Sequence, residues 1–148
     1  MCYIDTNILI YVNDIENPYH QSSAEIFYSY LDQDKVILHE IVLAEFFAII
    51  TDSRKMESPW STSQAKDYIK TLIDSVKELH FLDIDIFSMA CKDIKKYIIK
   101  RYNIYDYLIA CSMKFYGIEK IVTLNRTDFE SYEFIKEIIS PSIEEIHE

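Results

Sequence analysis

The chain has 148 residues, 49% of them hydrophobic and 27% charged, with a formal net charge of −10. That size and balance suit one globular unit with one core, and the acidic surplus disfavours holding nucleic acid by charge alone. A single glycine, Gly117, excludes the Gly-rich phosphate loops: there is no P-loop, no dinucleotide fingerprint and no Gly-x-Ser-x-Gly elbow.

Met1–Ile4 reads as a short buried strand, broken by Asp5-Thr6-Asn7, where Asp5 or Thr6 can cap a helix over Ile8–Asn13. Asn17-Pro18 makes a turn, and from Tyr19 onward Ala24, Phe27, Tyr28 and Leu31 recur at helical spacing. Lys35–His39 holds a second strand, Val36-Ile37-Leu38, and Glu40–Asp52 reads as a strongly apolar helix. After the polar connector Ser53–Ser63, Ser61 or Ser63 can cap a helix over Gln64–Leu79. Phe81–Ile84 reads as a third strand, and Asp85 as the cap of a helix running to about Arg101. Asn103 caps the next helix, which ends at Tyr116-Gly117, where glycine suits a left-handed C-cap. Lys120–Thr123 is a fourth strand, and Phe134–Ile138 begins a last strand or short helix. Ser140-Pro141 opens a tail carrying Glu144, Glu145 and Glu148.

Short apolar strands alternating with amphipathic helices predict a three-layer α/β/α sandwich, with a parallel sheet of four or five short strands and right-handed crossovers. No repeat or long linker divides the chain, so residues 1–148 are expected to form one domain. Cys2, Cys91 and Cys111 sit in apolar sequence without a Cys-x-x-Cys, which predicts reduced core thiols and a cytoplasmic setting. The four histidines are scattered, without a His-Glu-x-x-His. No apolar run approaches the ~18 residues that span a membrane, and the opening residues lack the pattern of a signal peptide.

In an open parallel sheet, ligands bind beyond the carboxyl ends of the strands. Asp5 follows the first strand, and Glu45 lies in the helix after the second. Asp106 falls in the first turn of the helix before the fourth strand, which Asn125 and Asp128 follow. Separate segments thus deliver acids and amides to one edge. Glu45, flanked by apolar residues, reads as buried, where a carboxylate is costly unless paired or bound to metal. A Lys, Arg or backbone donor would satisfy it equally well. Singly, Asp5 is explained by capping, Asp106 by a helix N-terminus and Asn125 by a turn. Together, converging carboxylates repel one another, and a hard divalent cation with oxygen ligands removes that repulsion.

At this point the residues resemble a known family. Tyr3-Ile4-Asp5-Thr6-Asn7-Ile8-Leu9 is similar to the opening of PIN domains. Ile41-Val42-Leu43-Ala44-Glu45-Phe46 and Ile104-Tyr105-Asp106-Tyr107-Leu108-Ile109-Ala110 resemble their second and third motifs. Ile121-Val122-Thr123-Leu124-Asn125-Arg126-Thr127-Asp128-Phe129 resembles the fourth, and Ser140-Pro141 the usual close. In length and layout the chain is most similar to the toxins of VapBC-type toxin–antitoxin pairs. The resemblance implies a ribonuclease dependent on Mg²⁺ or Mn²⁺, with Asp5, Glu45 and Asp106 as metal ligands and catalytic residues. Asn125 occupies the fourth acidic position, which loses a negative charge and puts a second metal in doubt; Asp128 is the nearby acid that can compensate. Thr6 and Asn7 would orient Asp5. An RNA substrate, an antitoxin partner and a homodimer are implied likewise.

Two features bear on the RNA path. Residues 91–126 hold eight basic side chains against three acidic in an otherwise acidic chain. That run is either a solvated face or a track for the RNA backbone. Tyr102, Tyr105 and Tyr107 flank Asp106, and each can stack on a base or pack in the core. Three rival readings remain at this level. They are a PIN nuclease of RNA processing without an antitoxin, a silent binding module favoured by Asn125, and a phosphotransfer domain with Asp after a strand. The haloacid-dehalogenase form of the last needs an acid where Asn7 stands.

Overall fold

A computed structural model describes residues 1–143; the tail acids Glu144, Glu145 and Glu148 lie outside the described residues. The strands are short and apolar because the sheet is covered. β1 (Cys2–Ile4) and β2 (Val36–His39) are buried at every residue, as expected of a parallel sheet with helices on both faces. With β3 (Glu78–His80), β4 (Lys120–Val122) and β5 (Glu137–Ile139) they form one sheet in the order β3-β2-β1-β4-β5, parallel throughout. Tyr3 stands opposite Ile37 on one side and Ile121 on the other, so β1 is central.

α1 (Thr6–Val12) packs on α2 (His20–Asp32) and α3 (Glu40–Ile50), and α3 packs on α4 (Thr62–Ser75). α5 (Ile84–Asp93) packs on α6 (Asn103–Tyr116). The chain steps outward from β1 to β3 and then returns to the far side of β1 at β4. Right-handed crossovers therefore put α1–α4 on one face and α5–α6 on the other, giving the three-layer sandwich expected. Tyr3, Phe27, Phe46, Tyr107 and Phe129 are the largest side chains of the core.

Capping follows the sequence at several ends. Asp5 accepts from the Thr6 amide at 2.8 Å and caps α1. Ser61 and Gln64 form a capping box at the start of α4. Gly117 closes α6 in the left-handed region at φ 71°.

Other expectations are corrected. The third strand is Glu78–His80, not Phe81–Ile84, and α4 ends at Ser75, not Leu79. Register decides this: Ile37, Leu38 and His39 pair with Glu78, Leu79 and His80, which leaves Phe81 52% exposed past the sheet edge. α5 is capped by Asp83, which accepts from the Asp85 and Ile86 amides, rather than by Asp85 itself. α5 also stops at Asp93 instead of reaching Arg101. Ile98 and Arg101 take left-handed backbone that an α-helix cannot contain, while Tyr97 packs on Tyr107 and Tyr132. Asn103 is the first residue of α6 rather than its cap; Tyr102 holds that place with no side-chain hydrogen bond. Cys2 and Cys111 are buried thiols as expected, but Cys91 is exposed. No helix among the described residues is long and apolar enough to cross a membrane.

Candidate active site

β1 and β4 are neighbours whose following connections leave toward opposite sides of the sheet. That arrangement opens a crevice at their carboxyl ends. The Asp5 amide donates to Val122 O at 3.0 Å, so the first residue past β1 is still tied to β4. Its side chain is 5% exposed. Oδ1 accepts from the Thr6 amide, and Oδ2 accepts from Thr123 Oγ1 at 2.7 Å and Asn7 Nδ2 at 3.3 Å. Asn7 Oδ1 in turn accepts from the Leu124 amide at 3.2 Å, and Thr123 Oγ1 accepts from the Asn125 amide at 3.0 Å. Asp5 is thereby clamped to the loop that carries Asn125.

Thr123 does not stand out in the sequence as a site residue, yet its buried hydroxyl meets Asp5, Asn7 and the Asn125 backbone. Its place directly after β4, one strand away from Asp5, was the available signal. Thr6 is buried and serves Asp5 through its backbone amide.

Asp5, Asn7, Glu45, Asp106 and Asn125 line one cleft of about 540 Å³, together with Tyr11, Lys55, Tyr102 and Tyr105. Burial is the main reason that the Asp5 carboxyl is pushed up to about 6; hydrogen bonds from Thr123 and Thr6 oppose it, and Glu45 and Asp128 add to it. Burial likewise pushes Asp106 up to about 7, with the charges of Asp5, Asp128 and Glu45 adding. These carboxylates feel one another across the cleft.

Two expected site residues sit differently from the sequence reading. Glu45 is exposed, not buried. α3 buries only Val42, Leu43, Phe46 and Ile50; its outward face carries Ala44, Glu45 and Ala48. The helix is apolar around its outward face because small alanines stand there, so Glu45 meets water at the cleft wall. Asp128 is exposed in the short turn Arg126–Asp128 and does not line this cleft. It shares with Asp106, Asn103, Thr127 and Ser131 a smaller hollow of about 130 Å³. Of the three tyrosines, Tyr107 is core and donates to Ala90 O, whereas Tyr102 and Tyr105 stand at the cleft.

Among the described residues, no three His, Cys, Asp or Glu side chains form a ready-made ion cluster. The donors nevertheless suit a hard divalent cation: all are oxygens, and two carboxyls are held above their ordinary range by burial, with neighbouring carboxylates adding to it.

The PIN domain family model matches residues 2–135. Ribonuclease VapC24 of Mycobacterium tuberculosis is 21% identical over 134 residues, covering 90% of this chain and 92% of that protein. Among solved structures, VapBC2 from Rickettsia felis bound to a DNA fragment from its promoter aligns with a TM-score of 0.65 and 18% identity. That match covers 96% of this chain and all of the other. FitAB bound to an IR36 DNA fragment aligns with a TM-score of 0.68 and 16% identity, covering 99% of this chain and 100% of that one.

Proposed function

Because this chain belongs to the PIN domain family, matched from residue 2 to 135, we propose that it is a divalent-metal-dependent endoribonuclease. We read it as a single domain and as the toxin of a toxin–antitoxin pair. The observation that carries the reading is convergence: Asp5, Glu45, Asp106 and Asn125, from four segments, face one cleft at the β1–β4 switch point. The ribonuclease among its relatives and the two toxin–antitoxin-type assemblies among its structural neighbours support the same reading.

Asp5, Glu45 and Asp106 would hold Mg²⁺ or Mn²⁺, with Asn125 offering a neutral oxygen. When bound, the cation supplies charge neutralisation and polarisation at a phosphodiester. The chain supplies the rest. Thr123, Asn7 and the Thr6 amide fix both oxygens of Asp5, so no rotamer search precedes reaction. One carboxylate of the set takes the proton of the attacking water. The exposed cations Lys92, Lys95, Lys96, Lys100 and Arg101 lead to Tyr102 at the rim, and give an RNA backbone a positive approach on an otherwise acidic surface. An antitoxin with a basic segment fits the acidic remainder, and a homodimer and a cytoplasmic location complete the proposal.

Purified protein with Mg²⁺ or Mn²⁺ should cleave RNA, and Asp106→Asn should not. Asn125, in place of an acid, favours one second reading, a silent binding module. RNA binding without cleavage at any metal concentration would establish that reading.

A further inference from the structure

Tyr102 is 81% exposed and Tyr105 46% exposed, although both are large apolar rings. Among the described residues neither hydroxyl has a hydrogen-bond partner and neither ring pairs with another aromatic. Tyr107, by contrast, is hydrogen-bonded to Ala90 O and packed on Tyr97 and Tyr132. Both unpartnered rings line the acidic cleft. Tyr105 also walls an adjoining hollow of about 310 Å³ with Ile41, Ala44 and Glu45. That hollow opens between the start of α6 and the outward face of α3, and Glu45 and Tyr105 belong to both spaces. Lys55 is the one cation lining the cleft among the described residues, and it has no carboxylate partner there. Its neighbour Arg54 is instead engaged with Asp52 at 3.1 Å.

From this we infer that the hollow between Tyr105 and α3 is a base slot. It receives the nucleobase next to the scissile phosphate, with Tyr102 extending the stacking surface at the rim and Lys55 meeting a flanking phosphate. The inference rests on the ribonuclease reading and deepens it. Three features select a base as the occupant. The slot is continuous with the acidic cleft, so whatever enters it is joined to what enters the cleft. Its apolar walls are the Tyr105 ring and the aliphatic side chains of Ile41 and Ala44, which match the two apolar faces of a base. The chain carries a net charge of −10, so charge alone does not hold RNA here, and stacking supplies the missing affinity. Apart from the Glu45 carboxylate and the Tyr105 hydroxyl the lining offers no side-chain polar group to read base edges. The slot therefore reads ring area more than base identity, and purines are preferred to pyrimidines.

The test is a binding scan in chelator, using a single-stranded RNA of about 12 nucleotides with an abasic site moved through successive positions. One position should weaken binding roughly tenfold. Tyr105→Ala should weaken the intact RNA by a similar factor and lose its sensitivity at that position. Tyr105→Phe should keep both affinity and sensitivity, because the ring remains. Tyr102→Ala should show a smaller loss at the same or the neighbouring position. A flat abasic scan, or Tyr105→Ala binding with wild-type affinity, overturns the slot. A change in sedimentation on Tyr102→Ala or Tyr105→Ala with RNA binding unaltered also overturns it, assigning the rings to a protein contact. Cleavage with Mn²⁺ separates the two readings. RNA cut normally despite a flat scan leaves the nuclease and removes the slot. RNA bound through one sensitive position but never cut leaves the slot and removes the nuclease.

Discussion

Thr123 Oγ1 donates a 2.7 Å hydrogen bond to Asp5 Oδ2, joining the ends of β4 and β1 across 118 residues of chain. Thr123→Val keeps the branched shape but strips the hydroxyl, leaving a buried carboxylate short of a donor. At pH 8 the expected cost is about 1–3 kcal/mol in urea unfolding. RNA cleavage should fall as well, because Asp5 loses its orientation. Thr123→Ser should recover most of both. A valine variant as stable and as active as wild type would show that the bond has no consequence.

Asp5 and Asp106 are raised from 3.8 to about 6 and about 7. A carboxyl raised in the folded state binds its proton more tightly there than in the unfolded chain. Its contribution therefore turns unfavourable as pH rises from about 4 toward 7 and is fully unfavourable above that. In chelator, the melting temperature should drop between pH 5 and pH 8. Asp106→Asn should flatten the drop and melt above wild type at pH 8. Parallel pH curves for the two proteins would show that Asp106 is not raised in the folded state.

Divalent metal should reverse that loss for the wild type, because a ligand of the folded state alone stabilises by mass action. At a metal concentration 100 times Kd the gain is about 2.7 kcal/mol. Thermal melting with Mg²⁺ or Mn²⁺ at pH 8 reads it directly, and Asp106→Asn should lose the response.

Asn125 lines the cleft without a charge. Asn125→Asp adds a further negative charge to a site already crowded. The variant should melt below wild type in chelator and show the larger upward shift when Mn²⁺ is added. Equal shifts in a titration followed by melting would place residue 125 outside the metal's reach.

His39 sits fully buried at the end of β2, where Nδ1 accepts from the Ile41 amide at 3.1 Å. Nε2–H therefore donates to Ser112 Oγ at 3.0 Å, and Ser112 Oγ donates to Leu108 O at 2.9 Å. The chain of bonds ties the start of α3, which carries Glu45, to α6, which carries Asp106. Burial holds His39 down to about 4 from 6.5. A depressed histidine contributes stability in full above its unfolded value, and that stability is lost as pH falls toward 4. Ser112→Ala should cost about 1 kcal/mol in urea at pH 7. Ring ¹⁵N shifts should show His39 neutral and protonated on Nε2 at pH 6; a cationic ring there would contradict the assignment.

Most of the layout was legible in the sequence, because local chemistry dictates it. Apolar residues at 2–4, 36–38 and 121–122 read as buried parallel strands, and the five strands that form fall within the four or five expected. Caps at Asp5 or Thr6, at Ser61 or Ser63 and at Gly117 rest on single-residue propensities, and Asp5, Ser61 and Gly117 take those places. Asp5, Glu45, Asp106 and Asn125 also reach one cleft: Asp5 directly follows β1, Asp106 lies in the first turn of α6, Asn125 is in the loop after β4, and Glu45 lies inside the helix that follows β2.

What failed depended on partners distant in sequence. β3 formed at Glu78–His80 because its register is set by β2, while the more apolar Phe81-Leu82 found no strand to pair with. α5 ended early because Tyr97 packs into an aromatic cluster with Tyr107 and Tyr132. Glu45 looked buried because an apolar stretch does not reveal which face lies against solvent. Thr123 became the hinge of the site only when β4 lay beside β1, and composition alone never brings residues 5 and 123 together. The sequence by itself determined which chemistry the chain can offer; side-chain contacts across the sheet decided which groups are buried, which are raised, and which stand open to a substrate.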